Sequence, residues 1–263
     1  MADERTISDM ERLVSELTPA MYEAGKVIME IHGRKISSRI KADGSPVSEA
    51  DEAAEAILLP ALAKAAPDIP VVSEENASSH DMAASPLFFL VDPIDGTKEF
   101  LKPDGKGSFT VNIGLVQNNA PIMGLVYAPA FDALYVGIVG HRATKITADG
   151  KENLTVRDVP ATGAVAVASA SHRDQATNDW LETHQIHQTK SIGSSLKFCL
   201  LADGLADVYP RFGPTMEWDT AAGDAVLRAA GGRVMTTDYA PYLYGKPSYR
   251  NTAFIASGKW EPS

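Results

Sequence analysis

The chain has 263 residues, 44% of them hydrophobic and 22% charged, which is typical of a globular protein with an ample core. Its net charge of −10 and the absence of a long basic run argue against binding to a nucleic-acid polymer. The single cysteine excludes an intramolecular disulfide, and no apolar run approaches the roughly 20 residues that cross a bilayer, so we expect a cytoplasmic protein, with peripheral attachment to the inner membrane left open.

The first half of the chain predicts two long helices followed by strands. Apolar residues at helical spacing predict a helix from Ile7 to Ile31, which Pro19 would break or kink, and a second from Ser48 to about Ala66. Alternation and β-branched content predict strands at Lys35–Ile40, Val71–Val72, Phe88–Val91, Phe109–Val116, Ile122–Tyr127 and Ala133–Val139. The segment from 140 to 159 is predicted to be irregular, with strand character only near Asn153–Val156.

Strands and helices alternate in the second half, which favours an α/β sheet. We predict strands at Ala164–Ser169, Ala206–Tyr209, Arg233–Thr236 and Ala253–Ala256, and helices at Asp174–His184, Ser194–Ala202 and Thr220–Ala230. The fold class is therefore α/β, with an α+β N-terminal half. A soft boundary near Pro160 divides residues 1–159 from residues 160–263, which we expect to form one compact catalytic unit.

The most informative stretch reads F-F-L-V-D-P-I-D-G-T-K-E-F, from Phe88 to Phe100. Its apolar start predicts a strand. Pro93 has no N–H to donate to a neighbouring strand, so the strand should end there. A plain strand followed by an Asp-Pro turn and an Asp-Gly turn also fits this stretch.

The same stretch has the groups that bind a cation and a phosphate together. Asp92 and Asp95 offer hard oxygen ligands. Gly96 lets the backbone approach a ligand, and Thr97 can open a helix whose free N–H groups would hold an anion. The carboxylates stand three residues apart, whereas an EF-hand loop needs alternate positions.

Further carboxylates stand at the ends of predicted elements. Glu74 and Glu75 end a strand, whereas Asp51 and Asp219 begin helices, where a capping or dipole role would also explain them. A two-metal phosphatase needs several such groups to converge around cations roughly 3.5–4 Å apart. Periodicity alone does not bring them together.

The motifs D-P-I-D-G-T at Asp92–Thr97 and W-D-T-A-A-G at Trp218–Gly223, with the Glu74-Glu75 pair upstream, resemble the inositol monophosphatase superfamily of Mg²⁺-dependent, lithium-sensitive phosphatases. Other stretches resemble its CysQ-like branch of 3′(2′),5′-bisphosphate nucleotidases. They are Lys41–Val47, Lys98 within the first motif, Ser191–Cys199 and Tyr209–Thr215. The resemblance runs from about Lys41 to Gly231 and implies a layered αβαβα sandwich of the sugar-phosphatase type.

The resemblance also implies the roles of the acidic residues. Two Mg²⁺ ions, with a third left open, would be held by Glu74, Asp92, the carbonyl of Ile94, Asp95 and Asp219. The Gly96 and Thr97 amides would hold the phosphate, and Thr97 and Asp51 would orient and deprotonate the attacking water. Glu75 would support this catalytic site or help to hold the third metal.

The nucleotide end of the substrate is implied to rest on the second half. Lys98, His172, Ser194, Lys197 and Arg211 match positions that bind substrate in this branch, with Asp219 at its edge. Arginine and lysine suit a phosphate that is recognised but not cleaved. The alternatives are a solvated Lys197, an Arg211 in a surface salt bridge and a purely structural His172.

The resemblance implies a Mg²⁺-dependent phosphatase that removes the 3′-phosphate of adenosine 3′,5′-bisphosphate, with the sulfated form of this nucleotide as a second candidate substrate. The implied mechanism is attack by metal-activated water, and the implied role lies in sulfur metabolism. A small-molecule substrate and a monomer or homodimer are expected. Three alternatives stay open: an inositol-1-monophosphatase or broad sugar-phosphate phosphatase on the same fold, a metal- or nucleotide-binding regulator, and a structural protein whose acidic residues are caps.

Overall fold

The computed structural model describes residues 5–32, 38–40, 46–101, 107–169 and 174–262. Its α-helices within these ranges are α1 (Ile7–His32), α2 (Glu49–Ala65), α3 (Thr97–Phe100), α4 (Gln175–Thr183), α5 (Leu196–Ala202) and α6 (Ala221–Ala229). None of them combines the length and apolar character that crossing a bilayer requires.

Seven strands form the larger sheet, in the spatial order β3-β4-β5-β6-β7-β8-β9. They are β3 (Val71–Ser73), β4 (Leu87–Asp95), β5 (Thr110–Gln117), β6 (Ala120–Ala128), β7 (Ala133–Ile138), β8 (Arg142–Thr147) and β9 (Gly150–Asn153). β3 and β4 are parallel, and every later neighbouring pair is antiparallel.

Five strands form the second sheet, in the order β11-β10-β12-β14-β13. They are β10 (Val165–Ser169), β11 (Gln188–Ile192), β12 (Val208–Arg211), β13 (Arg233–Thr236) and β14 (Phe254–Ser257). β14 lies between β12 and β13 and runs antiparallel to both. A short separate hairpin joins β1 (Ser38–Ile40) to β2 (Pro46–Ser48).

The layers follow from the alternation of side chains along each strand. In β4, Phe89 and Val91 pack with α1 and α2 on the outer face of the larger sheet, whereas Phe88 and Leu90 join the core that contains α5 and α6. Leu181 of α4 packs on the outer face of the smaller sheet. The order helix–sheet–helix–sheet–helix confirms the predicted αβαβα sandwich.

A row of three glycines brings α6 onto the backbone of the larger sheet. Gly114, Gly124 and Gly137 are direct neighbours across β5, β6 and β7. A Cβ on Gly124 would lie 2.2 Å from the carbonyl oxygen of Ala222. On Gly137 it would lie 2.5 Å from Cα of Val226. The close approach fixes the height of α6 above the sheet.

Three expectations about the strands of the two larger sheets are wrong. β4 does not end at Pro93 but continues to Asp95, with a shift in its register against β5 between Asp92 and Asp95. Pro93 is tolerated because β3 pairs with β4 only as far as Val91, so the missing N–H falls where the ladder is interrupted.

The other two errors concern polar strands. The segment expected to be irregular forms the β8–β9 hairpin, and β11 was not predicted. All four residues of β9 are exposed, as are four of the five in β11, so neither has the apolar alternation that marks a strand. The strand character near Asn153–Val156 reflects burial of Leu154 and Val156 beyond the end of β9.

Substituting the central glycine of the row should destabilise the fold. We expect Gly124→Ala to lower the free energy of unfolding by about 3 kcal/mol or more, because its Cβ meets helix backbone that cannot rotate away. Gly140→Ala is the control, since its added Cβ meets nothing within 4 Å of the described residues. The substitution costs only about 1 kcal/mol, because an alanine there must adopt a φ of +77°. Equal losses for the two variants in urea unfolding would contradict this account.

Candidate active site

A cavity of about 640 Å³ opens where the ends of β4 and β12 meet the starts of α3, α5 and α6. The charged side chains in its wall are Glu74, Asp92, Asp95, Lys98, Glu99, Asp174, Lys197, Arg211 and Asp219. The two parts of the chain therefore contribute to one cavity, with carboxylates predominantly from the first and cations predominantly from the second.

Three carboxylates converge within this cavity. Glu74, Asp92 and Asp219 each present an oxygen, and these oxygens lie within 4.8 Å of one another. The amide of Glu74 donates to the carbonyl of Val91 (3.1 Å), which holds the residue after β3 beside β4. Asp219 comes from the turn before α6, where its Oδ2 accepts the amide of Met216 (2.8 Å).

The buried, closely spaced negative charges of these carboxylates favour the binding of a cation. Burial, followed by the charges of Glu74, Asp95 and Asp219, raises the pKa of Asp92 well above 3.8. Burial and then Asp95 do the same to the pKa of Asp219. Asp92 Oδ1 is buried and has no hydrogen-bond partner among the residues that the structure describes. An unpartnered buried oxygen among hard oxygen donors fits a Mg²⁺ site.

Asp95 lies beside this trio with different partners. Its Oδ2 accepts from the hydroxyl of Ser195 at 3.0 Å. Burial raises the pKa of Asp95, while the nearby charge of Lys197 opposes that shift. Asp95 thus interacts both with the other carboxylates and with the ammonium group of Lys197.

The turn after Asp95 presents the groups expected to contact phosphate. Gly96 has a φ of +95°, which favours glycine, and both Gly96 and Thr97 line the cavity. The hydroxyl of Thr97 lies 3.3 Å from the carbonyl oxygen of Ile94 and 3.5 Å from Oδ1 of Asp51. Asp51 is 2% exposed and lies behind Thr97 rather than in the cavity wall.

Lys197 and Arg211 are buried cations rather than solvated surface charges. Lys197 is 6% exposed, its Nζ donates to the carbonyl of Ser194 (2.6 Å), and burial lowers its pKa to about 8. Arg211 is 8% exposed and donates to the carbonyls of Gly213 (3.2 Å) and Pro214 (3.0 Å). Both side chains are held in place before any ligand arrives.

The remaining predicted residues divide into three groups. Ser194, Lys98 and the backbone of Ile94 line the cavity. Glu75 is half-buried beside Glu74 but does not line it. His172 lies outside the described residues, as does most of the Lys41–Val47 motif.

Two polar residues in contact with the site were not singled out from the sequence. Ser195 contacts Asp95 and the carbonyl of Asp219, and Asn112 donates to Ser195. Asn112 is the side-chain amide in the interior of the strand T-V-N-I-G-L-V-Q, whereas Gln117 stands at its end, and Asn112 shares a face with Asp92, its partner in the ladder. A polar residue inside an apolar strand, paired with a candidate metal ligand, was the feature from which Asn112 could have been identified.

Comparison with known proteins agrees with this geometry. A model of the Inositol monophosphatase family matches residues 9–261, a wider span than the motifs indicated. The 3′(2′),5′-bisphosphate nucleotidase CysQ of Salmonella typhimurium (strain LT2) is 43% identical over 251 residues, which cover 92% of this chain and 100% of that protein. CysQ of Escherichia coli (strain K12) is 43% identical over 249 residues, covering 93% and 99%. The crystal structure of CysQ from Bacteroides thetaiotaomicron superposes with a TM-score of 0.80 at 36% identity, covering 94% of this chain and 97% of that one.

Removing one carboxylate should remove the response to divalent cations. We expect Mg²⁺ at 100 times its dissociation constant to add about 2.7 kcal/mol to the unfolding free energy of the wild-type protein. Asp219→Asn should lose most of this gain, because one of the three converging oxygens no longer carries charge. Asp68→Asn, at an exposed position in the turn that follows α2, is the control and should respond as wild type does. A full response in Asp219→Asn, measured by urea unfolding, would exclude the site.

The raised pKa of Asp92 predicts a pH-dependent cost in the metal-free protein. The folded state binds this proton more tightly than the unfolded chain, so the contribution to stability is full below pH 3.8 and is lost as the pH rises through the raised pKa. In EDTA, the difference in unfolding free energy that favours Asp92→Asn over wild type should therefore be greater at pH 8 than at pH 5. This difference should grow by about 1.4 kcal/mol for each pH unit between pH 5 and the raised pKa of Asp92. A constant difference in urea unfolding between the two pH values would contradict the shift.

Proposed function

Because the chain belongs to the inositol monophosphatase family and is a phosphatase, we propose that it acts as a Mg²⁺-dependent 3′(2′),5′-bisphosphate nucleotidase. The proposed substrate is adenosine 3′,5′-bisphosphate, with its sulfated form as a second substrate, and the products of the first reaction are AMP and phosphate. The sequence resemblance to this family is confirmed, and relatives named CysQ support the choice of substrate class.

One observation carries the proposal: a single cavity holds a carboxylate trio and, separately, two buried cations. A nucleoside 3′,5′-bisphosphate has two phosphates, of which one is hydrolysed and the other is only recognised. The trio suits the first through a bridging cation. Lys197 and Arg211 suit the second, and a pKa of about 8 leaves Lys197 charged at neutral pH.

The burial of these cations favours a charged ligand. A guanidinium and an ammonium that are less than a tenth exposed have given up most of their hydration, and carbonyl oxygens replace only part of it. A phosphate would supply full negative charge and several acceptors. An inositol ring offers hydroxyl groups, which need no such pair of cations.

The proposed metal ligands are Glu74, Asp92, the carbonyl of Ile94, Asp95 and Asp219. When bound, Mg²⁺ would neutralise charge on the reacting phosphate and make water a better nucleophile. Two ions are proposed, with Glu75 placed to support the site or to help hold a third.

The chain's own groups would position the reacting phosphate and the water. The amides of Gly96 and Thr97 would bind phosphate oxygens. The Thr97 hydroxyl, next to Asp51 Oδ1, would orient the attacking water and pass its proton to that carboxylate. Residues 1–159 would thus supply most of the metal and phosphate site, and residues 160–263 the nucleotide site, with His172 and Ser194 assisting at the nucleotide end.

Parallel assays of phosphate release test the substrate. With Mg²⁺ present, we expect a strong preference for adenosine 3′,5′-bisphosphate over inositol 1-phosphate. A preference for inositol 1-phosphate would keep the metal chemistry and overturn the substrate, and no release from either would support a regulator.

Arg211→Ala tests the recognised phosphate. Loss of a charged hydrogen bond costs about 1.5–3 kcal/mol, so kcat/KM for the bisphosphate should fall roughly 10- to 150-fold. Inositol 1-phosphate hydrolysis should change far less, because that substrate has no second phosphate. Arg12→Ala, an exposed arginine on α1, is the matched control and should affect neither substrate. An equal loss on both substrates would show that Arg211 serves the common chemistry instead.

A further inference from the structure

Ser195 joins the two sides of the carboxylate site. Its side chain is 1% exposed, and its hydroxyl oxygen lies 3.0 Å from Oδ2 of Asp95 and 2.7 Å from the carbonyl oxygen of Asp219. Asp95 ends β4, whereas Asp219 belongs to the turn before α6, so these residues come from distant parts of the chain. One hydroxyl therefore contacts the strand that bears Asp92 and the turn that bears Asp219.

Asn112 supports Ser195 from within the larger sheet. It is fully buried, pairs with Asp92 across the β4–β5 ladder and donates from Nδ2 to Ser195 Oγ at 3.1 Å. All eight residues of β5 are buried, and a polar amide in such a strand is costly without a hydrogen-bond partner. Within the described part of the chain Asn112 Oδ1 has no partner, so the bond to Ser195 is the contact that offsets the burial of this side chain.

The chemistry of the two groups fixes the direction of the hydrogen bonds. An amide nitrogen only donates, so Ser195 Oγ accepts from Asn112. The single hydroxyl hydrogen is then directed to Asp95 or to the Asp219 carbonyl, which are both acceptors. A bond received from Asn112 also strengthens the bond that Ser195 donates.

The backbone around Ser195 is itself held rigidly. Ser194 has a φ of +53°, and the amide of Gly193 donates to Ser108 Oγ at 2.8 Å. A Cβ on Gly193 would lie 2.6 Å from that same oxygen, so this backbone packs closely against Ser108. These contacts restrict the backbone that carries Ser195 independently of the contact between Ser195 and Asp95.

We propose that Asn112 and Ser195 are a positioning pair that holds Asp95 and the Asp219 turn at the spacing that Mg²⁺ binding requires. The pair touches no substrate atom and acts through those two residues. This inference rests on the proposed function only in assuming that the carboxylates bind Mg²⁺, whatever phosphate ester is hydrolysed.

Calorimetric titration of the substrate-free protein with Mg²⁺ tests the pair. Loss of a group that orients a metal ligand weakens binding about 10- to 100-fold, and we expect Ser195→Ala to fall in this range. Asn112→Ala should have a smaller effect of the same sign. Because Asn112 acts through Ser195, adding Asn112→Ala to Ser195→Ala should weaken binding no further. At saturating Mg²⁺ kcat should fall while KM for the nucleotide is maintained.

Ser257→Ala is the matched control. Ser257 is also a fully buried serine, its hydroxyl has no hydrogen-bond partner in the described ranges, and it lies on β14 away from the cavity wall. Its Mg²⁺ affinity should equal that of wild type. If Ser195→Ala does not fold, Asn112→Ser, which stays polar but is too short to reach Ser195, should still weaken binding.

The outcomes separate this inference from the proposed function. Wild-type affinity in Ser195→Ala, additive losses in the double variant, or no Mg²⁺ binding to the wild-type protein would each overturn the positioning pair. If affinity falls as expected but adenosine 3′,5′-bisphosphate is not hydrolysed, the pair stands and the proposed substrate fails. If the nucleotide is hydrolysed and the variants bind Mg²⁺ normally, the proposed substrate stands and the positioning pair fails.

Discussion

The contact between α6 and the glycine row of the larger sheet is the constraint on which the site depends. Gly114, Gly124 and Gly137 place no side chain between strand and helix at these three positions, so helix backbone and strand backbone approach each other closely there. The turn that carries Asp219 leads straight into this helix. The height of α6 therefore sets the distance between Asp219 and Asp92, and an added methyl group under the helix would change both the stability and the spacing of these carboxylates.

A buried group of like charges opposes folding, and this protein concentrates such charges where the two sheets meet. Burial and neighbouring carboxylates raise the pKa values of Asp92 and Asp219, which is the direction expected of such a group. Lys197 balances part of it from the opposite side of Asp95. The arrangement is stable as a whole because the surrounding core is large and because the strained residues lie at the ends of well-packed strands and helices.

The sequence predicted those parts of the fold in which local pattern and tertiary position agree. The long helix from Ile7, the strands that follow Phe109 and the α/β order of the second half all have apolar periodicity that matches their buried faces. The carboxylates of the cavity were found through motifs at element ends, yet only the structure brings Glu74 and Asp219 to Asp92. Ser195 and Asn112 were not identified from the sequence, because their contact joins residues that are far apart along the chain.

The position of β14 determines when the site can form. This strand enters between β12 and β13, so β12, which carries Arg211, lacks one of its two neighbours until β14 has been made. Arg211 itself is the residue that pairs with Phe254 at the start of β14. On the ribosome, Glu74, Asp92 and Asp95 are thus synthesised well before the smaller sheet can be completed, whereas Asp219 follows Arg211 in the chain. The carboxylate trio needs Asp219 and the fully paired strand of Arg211 needs β14, so the wall of the cavity is completed only after both have been made.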